Sequence, residues 1–231
     1  MKALILAAGR GERMRPLSDA CPKPLMAARG KRLIEWHLEA LARAGVREVV
    51  VNTAWLEEQF PAALGDGSRY GLSIAYTFEG RDHGGALETA GGIAKALPLL
   101  GDVFWVVSGD IFAPDFAFDP AEAGAFAASG ALAQLWFVPN PPFHPGGDFG
   151  LDAQGRVRRG VEPRLTYANF ALFRAALFAD VAAGTRLPLR PKLEEAIDRD
   201  ALLGRRWDGG WANLGTPAQL DALNAGWAPA A

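Results

Sequence analysis

The strongest constraint on the fold is a regular alternation of buried strands and amphipathic helices over the first 110 residues. Residues 3–7 (ALILA) are a continuous apolar run, as expected of a strand covered on both faces of a parallel sheet. Between Leu33 and Ala44 the positions Leu33, Trp36, His37, Ala40, Leu41 and Ala44 fall at helical spacing, and Gly45 ends that helix. Val46–Asn52 (VREVVVN) reads as a second buried strand, Leu56–Leu64 as a short helix and Leu72–Phe78 as a third strand. Thr89–Leu97 reads as a helix that stops before Pro98, and Val103–Val107 (VFWVV) as a fourth strand. Such a chain folds as βαβ units, with helices on both faces of a mostly parallel sheet. Ligands of these sheets bind at the carboxyl ends of the strands. Three chemically loaded spots fall there: Gly9–Arg15, Asn52 and Ser108–Asp110.

The second half is less regular. Ala131–Val138 and Arg164–Phe173 resemble strands, and the proline-rich tract 139–147 between them is a loop. Phe149–Val157 has the pattern of a small hairpin turning at Gln154-Gly155. Arg190–Leu203 has the spacing of an amphipathic helix, and Gly204–Trp211 leads on to Asn213. Pro217–Ala225 is a closing helix with Thr216 as its N-cap, and the tail Trp227–Ala231 is expected to fray. No repeat, low-complexity tract or linker interrupts the chain. The expectation is one domain over residues 1–231, with a parallel core and a smaller mixed second lobe.

Several function classes drop out on composition. A net charge of −2 with 22% charged residues argues against a nucleic-acid partner, which calls for a basic face. The single cysteine, Cys21, excludes an internal disulfide framework and suits a reducing compartment. No apolar run approaches the length that spans a bilayer, so no membrane association is expected. Met1-Lys2 leads straight into a strand without a signal-peptide pattern, which makes the cytoplasm the expected location.

The first strand runs into a loop of small residues, Ala7, Ala8, Gly9 and Gly11, crowded by Arg10, Arg13 and Arg15. Lys23 follows, boxed between Pro22 and Pro24. Bare backbone N–H groups and cations at a strand end favour an anion, above all phosphate. A plain strand–helix turn needs no such charge. The dinucleotide fingerprint G-x-G-x-x-G is broken at Met14, and the second strand ends in Asn52 where a ribose-binding carboxylate is expected. A Walker A loop is absent too, because no Gly-Lys-Ser/Thr follows.

The stretch LAAGRGERMRPLSDACPKPL resembles the opening motif of the sugar-1-phosphate nucleotidyltransferases, LAAGxGxRLxPLT…PKPL. The likeness continues through Leu33-Ile34-Glu35, Val49–Asn52, Leu87–Gly92, Ser108–Asp110 and Leu214–Pro217, strongest in the first half. The tracts NTAWLEEQF, LGDGSRYGLSIAY and LETAGGIAKALPLLG are most similar to the N-acetylmuramate-1-phosphate uridylyltransferases of cell-wall sugar recycling. The resemblance implies a three-layer, Rossmann-like nucleotide-diphospho-sugar transferase fold. Its nucleotide-binding half would cover about residues 1–125 and its sugar-binding half about 126–231. It also implies Mg²⁺-dependent transfer of a nucleotidyl group, with UTP and N-acetylmuramate 1-phosphate as the favoured small-molecule substrates. Mannose- or glucose-1-phosphate with GTP or dTTP is the alternative within the family. A binding protein without turnover is the alternative of another class.

Carried residue by residue, the resemblance makes Arg13, Lys23 and Asp110 the catalytic candidates. Leu6, Ala7, Ala8, Gly9, Gly11, Glu79, Gly91 and Gly92 become the nucleotide-binding candidates, the last two as backbone that a pyrimidine edge approaches. Gly150, Glu162 and Asn169 are expected at the sugar, and Asp110 with Asn213 at the metal. Two positions depart from the family pattern. Asn213 stands where many relatives have a second metal-binding aspartate, and Glu162 where a lysine precedes the proline, leaving Arg164 to supply that cation. The tract 80–86 is longer than expected and has the look of a flap.

Overall fold

The computed structural model describes residues 1–226, so the expected frayed tail at Trp227–Ala231 lies outside the described residues. The apolar run becomes β1 (Lys2–Ala7); a one-turn helix α1 (Leu17–Ala20) and the two-residue strands β2 (Ala27–Ala28) and β3 (Lys31–Arg32) follow. The regular alternation then unfolds as read: α2 (Leu33–Arg43), β4 (Glu48–Thr53), α3 (Gln59–Leu64) and β5 (Ser73–Phe78). The tract with the look of a flap instead opens with a helical turn, α4 (Glu79–His83), because the Glu57 carboxylate accepts from the free N–H groups of Gly80 and Arg81 at 3.1 and 2.9 Å. Next come α5 (Glu88–Ala96), β6 (Val103–Ser108) and the short β7 (Ile111–Phe112). The second half holds α6 (Pro120–Ser129), β8 (Ala133–Val138), β9 (Phe149–Leu151), β10 (Val157–Arg158) and β11 (Arg164–Arg174). It ends with α7 (Leu189–Asp198), β12 (Leu202–Arg206), β13 (Ala212–Asn213) and α8 (Pro217–Asn224).

Two elements differ from expectation. The helix expected to reach Leu203 stops at Asp198, and its last residues form β12 instead. Asp200 takes the left-handed conformation (φ 55°), with Ala201 N–H donating to the Ala196 carbonyl and Asp200 N–H to that of Ile197. That is a Schellman ending with aspartate where glycine is usual. Helix α6 lies in a tract assigned above to no element, although its start is conventional: the Asp119 carboxylate accepts from Ala121 N–H at 2.8 Å and Pro120 holds the first helical position.

One nine-stranded sheet runs through both halves, in the order β5-β4-β1-β6-β11-β8-β12, with β9 on the far part of β11 and β10 on β9. The strands β5, β4, β1, β6, β8 and β12 run parallel, and β11 runs against them. Successive side chains of a strand point to opposite faces. Ala3, Ile5 and Ala7 of β1 accordingly pack with Ile34, Leu38 and Phe60 under α2 and α3, while Leu4 packs with Ile93 and Ile197 under α5 and α7. A third, smaller cluster of Met14, Met26, Phe112, Leu214, Leu220 and Leu223 holds α8 against the loop that follows β1. From β1 the chain moves outward to β4 and β5, then returns to β6 on the other side. This reversal opens a crevice at the carboxyl ends of β1 and β6. Among the described residues, no helix is long and apolar enough to cross a membrane.

Candidate active site

The crevice is a cleft of ≈350 Å³ whose wall includes Leu6, Ala7, Ala8, Gly9 and Arg10 from the first loop. Gly11 is left-handed (φ 65°) and turns the chain into the helical turn Glu12–Met14, a conformation that a side chain would strain. The neighbouring strand end is tied in through Gly109 N–H, which donates to the Leu6 carbonyl at 2.8 Å. Lys23 and Asp110 meet in this wall, Nζ to Oδ2 at 2.6 Å, although 87 residues separate them in sequence. The Lys23 side chain is 12% exposed and that of Asp110 31%, so the lysine is sheltered and the carboxylate keeps an open side.

Three arginines of the loop take separate positions. Arg10 borders the cleft with its guanidinium over the Trp55 ring, 4.5 Å from the centroid. Arg13 lies against Gly215, its guanidinium carbon 3.3 Å from where a Cβ would sit. Arg15 pairs with Asp19 at 3.1 Å on the surface. Behind Asp110, the buried His37 Nε2–H donates to the Ile111 carbonyl at 2.8 Å. Burial pushes the His37 pKa down to about 4, against the upward pull of that hydrogen bond and of the Asp110 charge, so the ring is neutral.

On the opposite wall, Ala86, Glu88 and Thr89 face the cleft, and Glu88 is itself left-handed (φ 62°). Glu79, Gly91 and Gly92 are brought to this wall but lie behind its surface, with Glu79 fully buried. A Cβ at Gly92 would stand 2.6 Å from both the Asn52 Nδ2 and the Glu79 Oε1 atoms, so glycine there allows α5 to press onto those side chains. Burial raises the Glu79 carboxyl above its ordinary range, and hydrogen bonds from Leu87 N–H and Asn52 oppose that rise.

A second, ≈300 Å³ cleft lies beyond Asp110 and is lined by His144, Asp148, Tyr167, Asn169, Trp211 and Asn213 among others. β13 pairs with β7 so that Asn213 stands opposite Ile111, and Leu214 N–H donates to the Asp110 carbonyl at 3.3 Å. This pairing runs the two backbones side by side, with Asp110 and Asn213 one residue out of step. Among the described residues, Asn213 Oδ1 is buried without a hydrogen-bond partner. Asn169 sits left-handed (φ 63°) where the register of β11 on β8 shifts. Gly150 and Glu162 lie outside the walls of both clefts. Gly150 packs against Val161, and the Glu162 carboxylate accepts from Arg164 N–H at 2.9 Å. The Arg164 guanidinium, in turn, donates to the Asp148 carbonyl at 2.7 Å.

A larger groove of ≈580 Å³ touches Asn213 from outside, walled by Pro141, Phe143, Trp211, Leu214 and Ala218. No cation lines it, so the smaller charged cleft is the one suited to phosphate chemistry. The cleft residues that sequence reasoning did not name as candidates are Ala86 and Thr89 at the first cleft and His144, Asp148 and Trp211 at the second. Thr89 stands in the first turn of α5, and the others sit in loops and turns that no periodicity marks.

The family model described as Nucleotidyl transferase matches residues 2–162. Over 97% of this chain and 97% of the relative, the sequence is 46% identical to an N-acetylmuramate alpha-1-phosphate uridylyltransferase of Neisseria meningitidis serogroup B. A second protein of that description, from Caulobacter vibrioides, is 32% identical over 96% of this chain and 95% of its own. Among solved structures, a putative glucose-1-phosphate thymidylyltransferase from Bacillus anthracis superposes with a TM-score of 0.83 at 18% identity, covering 97% of this chain and 94% of that one.

Proposed function

Since the chain belongs to the nucleotidyl transferase family, we propose that it transfers a uridylyl group from UTP to N-acetylmuramate 1-phosphate and releases pyrophosphate. The observation that supports this reading is the Lys23–Asp110 pair in the wall of the first cleft, beside the ends of β1 and β6. In this reaction a sugar-phosphate oxygen bonds to the α-phosphorus in line, and the bond from that phosphorus to the bridging oxygen of pyrophosphate breaks. The nucleophile is already anionic and needs no general base. The obstacle is repulsion between two polyanions, which positioning and fixed positive charge overcome.

In this reading, the backbone N–H groups of Gly9–Gly11 and the Arg13 guanidinium hold the β- and γ-phosphates. Lys23 sits between the α-phosphate and the sugar phosphate. Ala86–Thr89 face the base, and Asn169 and Trp211 face the sugar. Among the described residues, no three His, Cys, Asp or Glu side chains gather into a metal site. The Asp110 carboxylate and the orphaned Asn213 Oδ1 nevertheless fit a hard cation, since Mg²⁺ commonly takes one or two protein oxygens and completes its shell with phosphate and water. Bound there, Mg²⁺ would neutralise charge on the triphosphate. The reading takes the two halves as one domain around one site, and the reaction as a cytoplasmic step of cell-wall sugar recycling.

The choice of UTP and the muramyl sugar rests on the likeness, over nearly the whole chain, to the two N-acetylmuramate alpha-1-phosphate uridylyltransferases. Pyrophosphate release, followed over a panel of UTP, GTP and dTTP against N-acetylmuramate, glucose and mannose 1-phosphates, tests it. The expected result is fastest release with UTP and the muramyl phosphate. Release with no pair, or binding without turnover, contradicts the reading. Faster release with GTP and mannose 1-phosphate would keep the chemistry and overturn the substrates.

A further inference from the structure

Four groups, of which Ala7 and Asn52 line the cleft and Glu79 and Leu87 lie behind it, form an unbroken chain of hydrogen bonds between the two walls that face each other across the triphosphate cleft. Ala7 N–H, in the phosphate loop, donates to Asn52 Oδ1 at 2.8 Å. Asn52 Nδ2 donates to Glu79 Oε1 at 2.6 Å. Glu79 Oε2 accepts from Leu87 N–H at 2.8 Å, in the opposite wall between Ala86 and Glu88. Asn52 is 2% exposed and Glu79 0%, so water replaces none of these partners. Gly92 seals the chain from behind.

We propose that Asn52 and Glu79 are positioning residues that lock the phosphate loop to the base-side loop and thereby set the affinity for the nucleoside triphosphate. The inference rests on the functional reading above only for the identity of the ligand. It differs from the expectation that Glu79 touches the base, because both carboxylate oxygens are already engaged away from the cleft.

The polarity of the chain explains the residue types. Both ends are backbone N–H donors, which fixes the direction of each side chain between them. Asn52 must turn its oxygen to Ala7 and so presents its amide N–H₂ to residue 79. That residue therefore meets a donor on each side and needs two acceptors. Glutamate has two, whereas glutamine has one, and either orientation of its amide leaves a buried donor facing a donor. An unsatisfied buried donor costs about 1–3 kcal/mol, so the chain either reshapes or opens. Burial raises the Glu79 carboxyl, and these two hydrogen bonds together with the positive charge of Lys95 oppose that rise in favour of the ionised form.

The same logic gives a test by exchange. Glu79→Gln places two donors together, and Asn52→Asp places two carboxylates together. The double variant Asn52→Asp/Glu79→Gln restores every pairing and reverses only the bond between the two side chains. The new carboxylate at position 52 accepts from Ala7 N–H and from the new amide at position 79, whose oxygen accepts from Leu87 N–H. Each single variant is expected to weaken UTP about tenfold, in calorimetric Kd and in KM, while KM for the sugar phosphate stays within about twofold. The double variant is expected to return to within about threefold of wild type. A double variant no tighter than the weaker single would overturn the proposal, as would single variants that bind UTP normally or that weaken both substrates alike. Thermal melts accompany the series, and if a single variant fails to fold, the UTP affinity of the double variant decides alone. The calorimetric Kd is read without turnover, using GTP or dTTP if wild type prefers either. A wild type that binds UTP without releasing pyrophosphate therefore overturns the functional reading and leaves this test intact.

Discussion

Lys23 is held by Pro22 and Pro24 on either side and by the Asp110 carboxylate 2.6 Å away. Its proposed role depends on a compact charge delivered between two phosphates. Lys23→Ala is expected to lower kcat/KM by about 10²–10³, the usual cost of one preorganised donor to a developing charge, and steady-state pyrophosphate release measures it. Lys23→Arg should recover little, because a planar fork does not replace a point donor in a sheltered site. His37 gives a prediction about stability. Its native pKa of about 4 lies below the ordinary histidine value, so between those two the unfolded chain holds a proton that the native chain refuses. Stability is therefore fully present above the unfolded pKa and falls as pH drops towards 4, by about 3 kcal/mol in all. Urea unfolding at pH 7 and pH ~4.5 reads this, and the part due to His37 is the part that His37→Gln removes. Lys23 and Asp110 were legible because each sits in a motif tied to a strand end. The Asn52–Glu79 chain was not, since periodicity marks which residues are buried and is silent on which donor meets which acceptor.

At the scale of elements, the strands β1, β4, β5 and β6 and the helices α2 and α5 follow from apolar spacing, because each must bury a face. The end of α7 does not follow from it. A left-handed aspartate ends that helix where the sequence offers no glycine, and the residues beyond it pair with β8. α8 was legible from its cap. Thr216 accepts from Gln219 N–H at 3.4 Å, and the Gln219 side chain accepts from Gly215 and Thr216 N–H at 2.7 and 3.0 Å. Thr216→Ala is expected to cost about 1 kcal/mol in urea unfolding. It should also raise KM for the triphosphate, because Gly215 is the surface on which the Arg13 guanidinium rests. Gly92→Ala drives a methyl group into Asn52 and Glu79, and a loss of about 1–3 kcal/mol is expected, measured the same way.

At the scale of the molecule, the class of fold was legible and the order of the sheet was not. Nothing in the β11 sequence says that it slots antiparallel between β6 and β8, since that choice is made by partners far away in the chain. The first cleft was legible in outline because it sits at the switch point that the β1–β4–β5 then β6 path creates. The second cleft was not, because loop 139–147, the shift in β11 and the turn before β13 build it together. What unites the two clefts is the claim that one site holds two anions, with Lys23 and Asp110 at the join. A crystal structure with UDP-N-acetylmuramic acid bound tests that claim most directly. The account predicts the diphosphate against Lys23 and the Gly9–Gly11 amides, the uracil against residues 86–89 and the sugar beside Asn169 and Asn213. A sugar nucleotide lying instead in the apolar groove of Pro141, Phe143 and Trp211, with the Lys23–Asp110 pair untouched, would contradict it.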